Sequence, residues 1–257
     1  MPPVKSIRYF NNYGEWAPWV FSMWDHRNGP MKRRWRKVFP EMVKGRHLNW
    51  YLRYFFLKRS DQWYLSLFQP DLGQLSGEVC HAYGGIDSHI ISNIATLLPD
   101  VKIIYLIRNP VERLWSEANL YFRRRGEQIG ETTDDATVME VLNELVGNPR
   151  SDALAKLLCW QTSYPKEQFF VGFFDQLREQ PSQLLCEIHQ FIGVSADKQY
   201  IPDQVDQRIG SSPYMSLPHR FAKVLARTEY QRIEALHQHF DNRYTAQWLQ
   251  ECKEFYE

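Results

Sequence analysis

The chain has 257 residues, 44% of them apolar and 24% charged, with a formal net charge of +1. That length holds a sizeable α/β core, and the near-neutral charge singles out no polyanionic partner. No run of apolar residues reaches the 18 or more needed to span a bilayer, and no signal-peptide pattern or internal repeat is present. Cys80, Cys159, Cys186 and Cys252 are scattered without a C-x-x-C pair. This argues against a zinc site and suits buried free thiols in a reducing compartment.

In chain order, Met1 to Asn12 enters an apolar alternation at once, with Ile7, Tyr9 and Phe10 asking for a core. Trp16 to Lys37 is rich in tryptophan and base, ending in K-R-R-W-R-K at 32–37. It reads either as an acceptor surface for an anionic group or as an amphipathic helix with a solvated cationic face. Residues 47–57 form an apolar core helix. Gly77 to Tyr83 reads as a short strand carrying Glu78 and His81, and Ile86 to Leu98 as a helix stopped by Pro99.

Ile103, Ile104, Leu106 and Ile107 make a near-continuous apolar run, the pattern of a strand covered on both faces. Arg108 and Asn109 break it, and Pro110 suits a first helical turn because its missing N–H has no helical partner there. Leu114, Ala118, Tyr121 and Phe122 then recur at helical spacing. A strand that ends in arginine and turns into a helix is built to grip an anion. The guanidinium offers a planar fork, and the helix start offers a positive dipole end. Ser116, eight residues after Arg108, can add a hydroxyl from the helix.

Asp134 to Val146 reads as an amphipathic helix, and Ser151 as the cap of another with Leu154, Leu157, Leu158 and Trp160 on its apolar side. Phe169 to Phe174 is a second buried strand. A helix opens at Pro181 and closes at Phe191-Ile-Gly-Val, and two closing helices cover Pro218 to Phe240 and Thr245 to Tyr256. Strands alternating with helices argue a parallel sheet with right-handed crossovers.

The pattern R-[DN]-P-x-x-R-x-x-S after an apolar strand, met here by Arg108, Asn109, Pro110, Arg113 and Ser116, resembles the 3′-phosphate motif of sulfotransferases that use 3′-phosphoadenosine 5′-phosphosulfate (PAPS). The likeness runs through most of the chain. Met1 to Asn11 is similar to an internal segment of the heparan-sulfate and bacterial carbohydrate sulfotransferases, Asp61 to Phe68 to their W-Y-x-x-x-F, and Gly77 to Tyr83 to G-E-x-S-P-x-Y. Phe174-Asp175 stands where that family has Glu-Asp. The resemblance implies a single α/β domain over residues 1–257, with a central parallel sheet flanked by helices in a P-loop NTPase-like fold. It implies that Arg108 and Ser116 hold the 3′-phosphate of PAPS, with Arg208 and Gly210 as further nucleotide contacts and no metal.

Two departures stand out. No G-T-[ST] or G-x-x-x-x-G-K-[ST] loop occurs, so the fold is expected to lack its first strand and phosphosulfate loop. The expectation is an N-terminally incomplete domain, with a degenerate relative as the competing explanation. The family's catalytic glutamate is also replaced by Ser6, which cannot act as a carboxylate base. Lys5 near the transferring group, and Glu78 or His81 as base, are the remaining candidates.

The expected activity is transfer of a sulfuryl group to a hydroxyl of a glycan or glycolipid. The alternative is a non-catalytic module that holds 3′-phosphoadenosine 5′-phosphate (PAP) or an anionic glycan. No nucleic-acid partner is expected. The chain as given suits the cytoplasm, and a longer protein would suit the Golgi or a membrane anchor.

Overall fold

The computed structural model describes residues 3, 6–13, 35–36, 38–41, 44–45, 47–129, 133–146, 148, 151–207 and 217–256. The chain divides into two compact units, 1–99 and 100–257. Much of the basic, Trp-rich segment, with Lys5, Arg208 and Gly210, lies outside the described residues.

The first unit is organised by aromatic rings. Helix α1, Leu48–Phe56, buries Trp50, Tyr51, Tyr54 and Phe55. These recur at helical spacing, so one apolar stripe faces inward. Trp50 and Tyr54 stack with ring centroids 4.9 Å apart. Ser60 starts α2, Asp61–Ser66, its hydroxyl accepting from the Trp63 N–H and so filling an otherwise unpaired helix donor. Helix α3 runs Ser88–Leu97.

The N-terminal segment enters this core as its alternation demands: Ile7 and Tyr9 are fully buried, and Phe10 nearly so. Ser6 and Arg8, on either side of Ile7, take left-handed φ values of 62° and 58°. Such backbone is strained for non-glycine residues and persists only where its surroundings hold it. Residues 77–83 differ from expectation. They form no strand ladder; residues 77–80 are irregular and His81–Gly85 makes a 3-10 turn. Here the side chain of Glu78 takes the backbone donor, accepting from the Ile7 N–H at 2.9 Å.

The second unit carries the sheet. Strand β1, Ile103–Ile107, pairs in parallel with β2, Phe169–Phe173, in the register Ile103 to Phe169 through Ile107 to Phe173. Helix α4, Pro110–Arg124, follows β1 directly, then α5, Asp135–Val146, and α6, Ala153–Gln161. After β2 come α7, Phe174–Glu179; α8, Pro181–Ile192; α9, His219–Phe240; and α10, Arg243–Tyr256. The α/β class with a parallel sheet is as the sequence pattern requires.

One sheet face packs on α9 and α10, where Ile107 and Phe173 meet Ile233, Leu236 and Trp248. The other is less covered than the continuous apolar run suggests, leaving Ile104 and Leu106 43% and 41% exposed. Helix α8 reaches this face over β2, where a Cβ on Gly172 would meet Leu184 Cδ1 at 3.3 Å and Leu106 Cδ2 at 2.9 Å. Only glycine lets that strand, helix and side chain close together.

A second cluster joins α4 to α5 and α9 through Leu114, Trp115, Phe122, Val138, Leu142 and Phe221. The Trp115 and Phe221 rings stack at 5.7 Å. Full burial of a side chain the size of Trp115 is worth about 3–5 kcal/mol against truncation, so α4 is firmly seated. The cap of α6 differs from the sequence reading. Asp152, not Ser151, accepts from the Ala155 N–H, while Ser151 is buried. Leu158 on that helix is exposed. All four cysteines are free, and of them Cys252 alone is buried, its thiol pushed up to about 12 by that burial.

Candidate nucleotide site at the end of strand β1

The turn from β1 into α4 is fixed by Asn109. Its side chain is 6% exposed. Its Oδ1 accepts from the Val111 N–H at 3.0 Å and its Nδ2 donates to Glu251 Oε2 at 3.4 Å, tying the turn to α10. Pro110 occupies the first helical position, where its locked φ is already helical. The strand-turn-helix therefore forms as its local chemistry directs.

Arg108 leaves this turn with its side chain 21% exposed. Its Nε donates to Glu112 Oε2 at 3.2 Å, and its guanidinium lies over the Phe174 ring, 4.9 Å from the centroid. Arg178 approaches the same carboxylate, donating to Oε1 from both Nη atoms at 3.2 Å and to Oε2 at 3.0 Å. Arg178 also pairs with Asp175 at 2.9 Å and lies 5.5 Å from the Phe174 ring centroid. Burial opposes the charge on Arg178, but Glu112 and Asp175 more than offset it and hold its pKa above the usual arginine value.

Ser116 is half-buried, one turn beyond Glu112. Residues four apart share a helix face, so Ser116 stands on the face that holds Arg108. Arg113 belongs to the neighbouring stripe. It pairs with Glu117 at 2.8 Å, and its buried Nη2 has no hydrogen-bond partner among the described residues. Behind α4, Glu229 is 0% exposed and accepts from Arg232 Nη1 at 2.6 Å. Burial raises its carboxyl pKa against the pull of Arg232 and Arg113.

The other expected site residues lie in the first unit. The Glu78 carboxylate accepts from the Ile7 N–H and, at 3.0 Å, from the Tyr64 hydroxyl, and the Tyr83 hydroxyl bonds to it as well. Tyr83 in turn accepts from the Tyr9 N–H at 2.9 Å. Burial first, and then Glu78, push the Tyr83 hydroxyl far above its usual range. His81 is exposed at the start of the 3-10 turn, with no hydrogen bond among the described residues. The structure thus brings Arg108 and Ser116 to one helix face, and Glu78 and His81 to one short segment.

Glu112 and Arg178 were not singled out by sequence, and Phe174 was noted only as standing where the family has a glutamate. The four-residue step from Arg108 to Glu112 was a readable signal. The pairing with Arg178, 66 residues away, was not. Among the described residues, no cluster of His, Cys, Asp or Glu could hold a metal ion. Nor is any described helix long and apolar enough to cross a membrane.

Residues 86–216, just over half of the chain, match the family model of the sulfotransferase domain. The chain belongs to the sulfotransferase domain family. The matched range contains the β1–α4 junction, β2 and the Glu112–Arg178 cluster; it begins after Lys5, Glu78 and His81. A solved sulfotransferase from Alicyclobacillus acidocaldarius is similar in fold, with a TM-score of 0.61 over 96% of this chain and 87% of that one, at 19% identity. No curated protein matches the chain in sequence.

Proposed function

We propose that this sulfotransferase-family chain binds PAPS through the β1–α4 junction and transfers its sulfuryl group to a hydroxyl of a glycan or glycolipid. The observation that carries the reading is Arg108: its Nε and its flat face are committed to Glu112 and Phe174, and its Nη edge makes no hydrogen bond among the described residues. That edge is the fork that matches a phosphate. Ser116 adds a hydroxyl on the same face, so these residues suit the 3′-phosphate of the donor. Arg208 and Gly210 are proposed as further nucleotide contacts.

PAPS supplies the activated sulfuryl group. The chain's task is to hold donor and acceptor in line, stabilise charge on the transferring oxygens and take the acceptor proton. We assign the proton to His81, whose ring makes no hydrogen bond among the described residues, rather than to Glu78, whose carboxylate already serves donors from Ile7, Tyr64 and Tyr83. Lys5 is proposed to stand by the transferring group.

A second reading has its own support: Ser6 donates to Cys80 Sγ at 3.3 Å and offers no carboxylate at the family's usual base position. On that reading the chain binds PAP without chemistry. Incubation with PAPS carrying a radiolabelled sulfuryl group, against a panel of glycans and glycolipids, separates the two. Label on an acceptor hydroxyl, lost in Arg108→Ala, supports the enzyme. Tight PAP binding with no transfer to any hydroxyl overturns it in favour of the binding module.

A further inference from the structure

The cluster beside Arg108 presents an electrostatic puzzle. Arg108 and Arg178 contribute two positive charges, and Glu112 and Asp175 cancel both within one connected set of ion pairs. A carboxylate so close to a phosphate site works against binding by charge alone. Its geometry offers a reason for its presence. Glu112 takes only the Nε of Arg108, the one guanidinium N–H that lies away from the Nη fork.

Glu112 is itself held: Arg178 grips both of its oxygens, and Asp175 fixes Arg178 from the start of α7. The Phe174 ring lies beneath both guanidinium groups, at 4.9 and 5.5 Å, and restricts their planes. Long arginine side chains lose considerable rotamer freedom on binding, and a fork fixed beforehand avoids that loss.

We infer that Glu112 and Arg178 are positioning residues for nucleotide binding, holding the Arg108 guanidinium so that its Nη edge is presented to the ligand phosphate. This rests on the reading of Arg108 as the phosphate-binding residue. Neither residue touches the ligand; each acts through Arg108. The sequence arranges this from two places: the first turn of α4, where an acid also suits the helix dipole, and the helix that follows β2.

Charge and positioning predict opposite signs, which makes the inference testable with PAP by calorimetry. If Glu112 acts only as a charge, its removal strengthens anion binding. If it positions Arg108, Glu112→Ala weakens PAP binding by about tenfold or more despite the loss of a like charge. Glu112→Gln, whose carbonyl accepts the same Nε–H, stays within about threefold of wild type.

The ligand-free protein gives a second readout. The Arg108 Nε–H signal in nitrogen–proton spectra, assigned with Arg108→Lys, is protected from exchange in wild type and Glu112→Gln. It is lost in Glu112→Ala and weakened in Arg178→Met. Equal or tighter PAP binding by Glu112→Ala, tighter binding by Glu112→Gln, or an unprotected Nε–H in wild type overturns the inference while leaving the nucleotide reading intact. Failure of wild type to bind PAP overturns that reading first, and the positioning role with it.

Discussion

Glu78→Ala separates the two roles open to that carboxylate. In the structure it accepts from the backbone N–H of Ile7, from the hydroxyl of Tyr64 and from that of Tyr83. Ile7 is fully buried between Ser6 and Arg8, both in left-handed backbone, so this bond holds a strained segment in the core. Hydrogen bonds to a charged acceptor are worth about 1.5–3 kcal/mol each. Tyr83 keeps its bond from Tyr9, and Glu78 is partly solvated, so the full sum is not expected.

We therefore expect Glu78→Ala to cost about 3 kcal/mol of stability. Glu78→Gln, with one acceptor oxygen in place of two, should cost about half as much. Urea unfolding followed by tryptophan fluorescence reads this directly, since Trp50 and Trp63 lie in the same unit and are buried. Hydrogen exchange at the Ile7 amide should quicken in parallel. A Glu78→Ala protein within about 1 kcal/mol of wild type refutes the structural role. If that protein also lost sulfuryl transfer, Glu78 and not His81 would be the base.

His81→Ala is expected to leave stability within about 0.5 kcal/mol, because the ring is exposed and makes no hydrogen bond among the described residues, while lowering the transfer rate by about 100-fold; unchanged transfer removes it as the base. Asn109→Ala removes the cap of α4 and its link to Glu251, and should cost about 1–2 kcal/mol in thermal or denaturant unfolding. For Glu229, burial raises the folded-state carboxyl pKa above its unfolded value, so its contribution to stability is complete below about pH 4.3 and is lost as pH rises through the folded value. The stability of wild type relative to Glu229→Gln should fall as pH rises from about 4, and a flat or rising difference contradicts this.

The β1–α4 junction was legible because each of its steps is local: an apolar run, an arginine, a capping asparagine, a proline at the first helical position and a stripe at helical spacing. Helix α8 was legible for the same reason, from Pro181 at its start to Gly193, at φ 84°, just past its end. Where two local signals were equal, sequence could not choose between them. Ser151 and Asp152 are both good caps, and packing that buries Ser151 gives the role to Asp152.

Residues 77–83 read as a strand because they resemble a family segment that ends one, although Gly77, Glu78 and Ala82 do not themselves favour extended backbone. A ladder also needs a neighbour, and a side-chain acceptor took the Ile7 N–H in its place. The exposure of Ile104 and Leu106 was hidden similarly, since an apolar run states a preference for cover and not what supplies it. The Glu112–Arg178 pair arises because the parallel pairing of β1 and β2 ends with Ile107 opposite Phe173, which brings the starts of the two following helices near each other.

The central claim is that Arg108, at the end of β1, grips the 3′-phosphate of a nucleotide. Calorimetry of PAP against the purified chain, with Arg108→Ala alongside, tests it most directly. Loss of two charge-assisted hydrogen bonds predicts wild-type binding that falls by at least about 100-fold in the variant. Equal binding by the two proteins, or none by wild type, contradicts the claim.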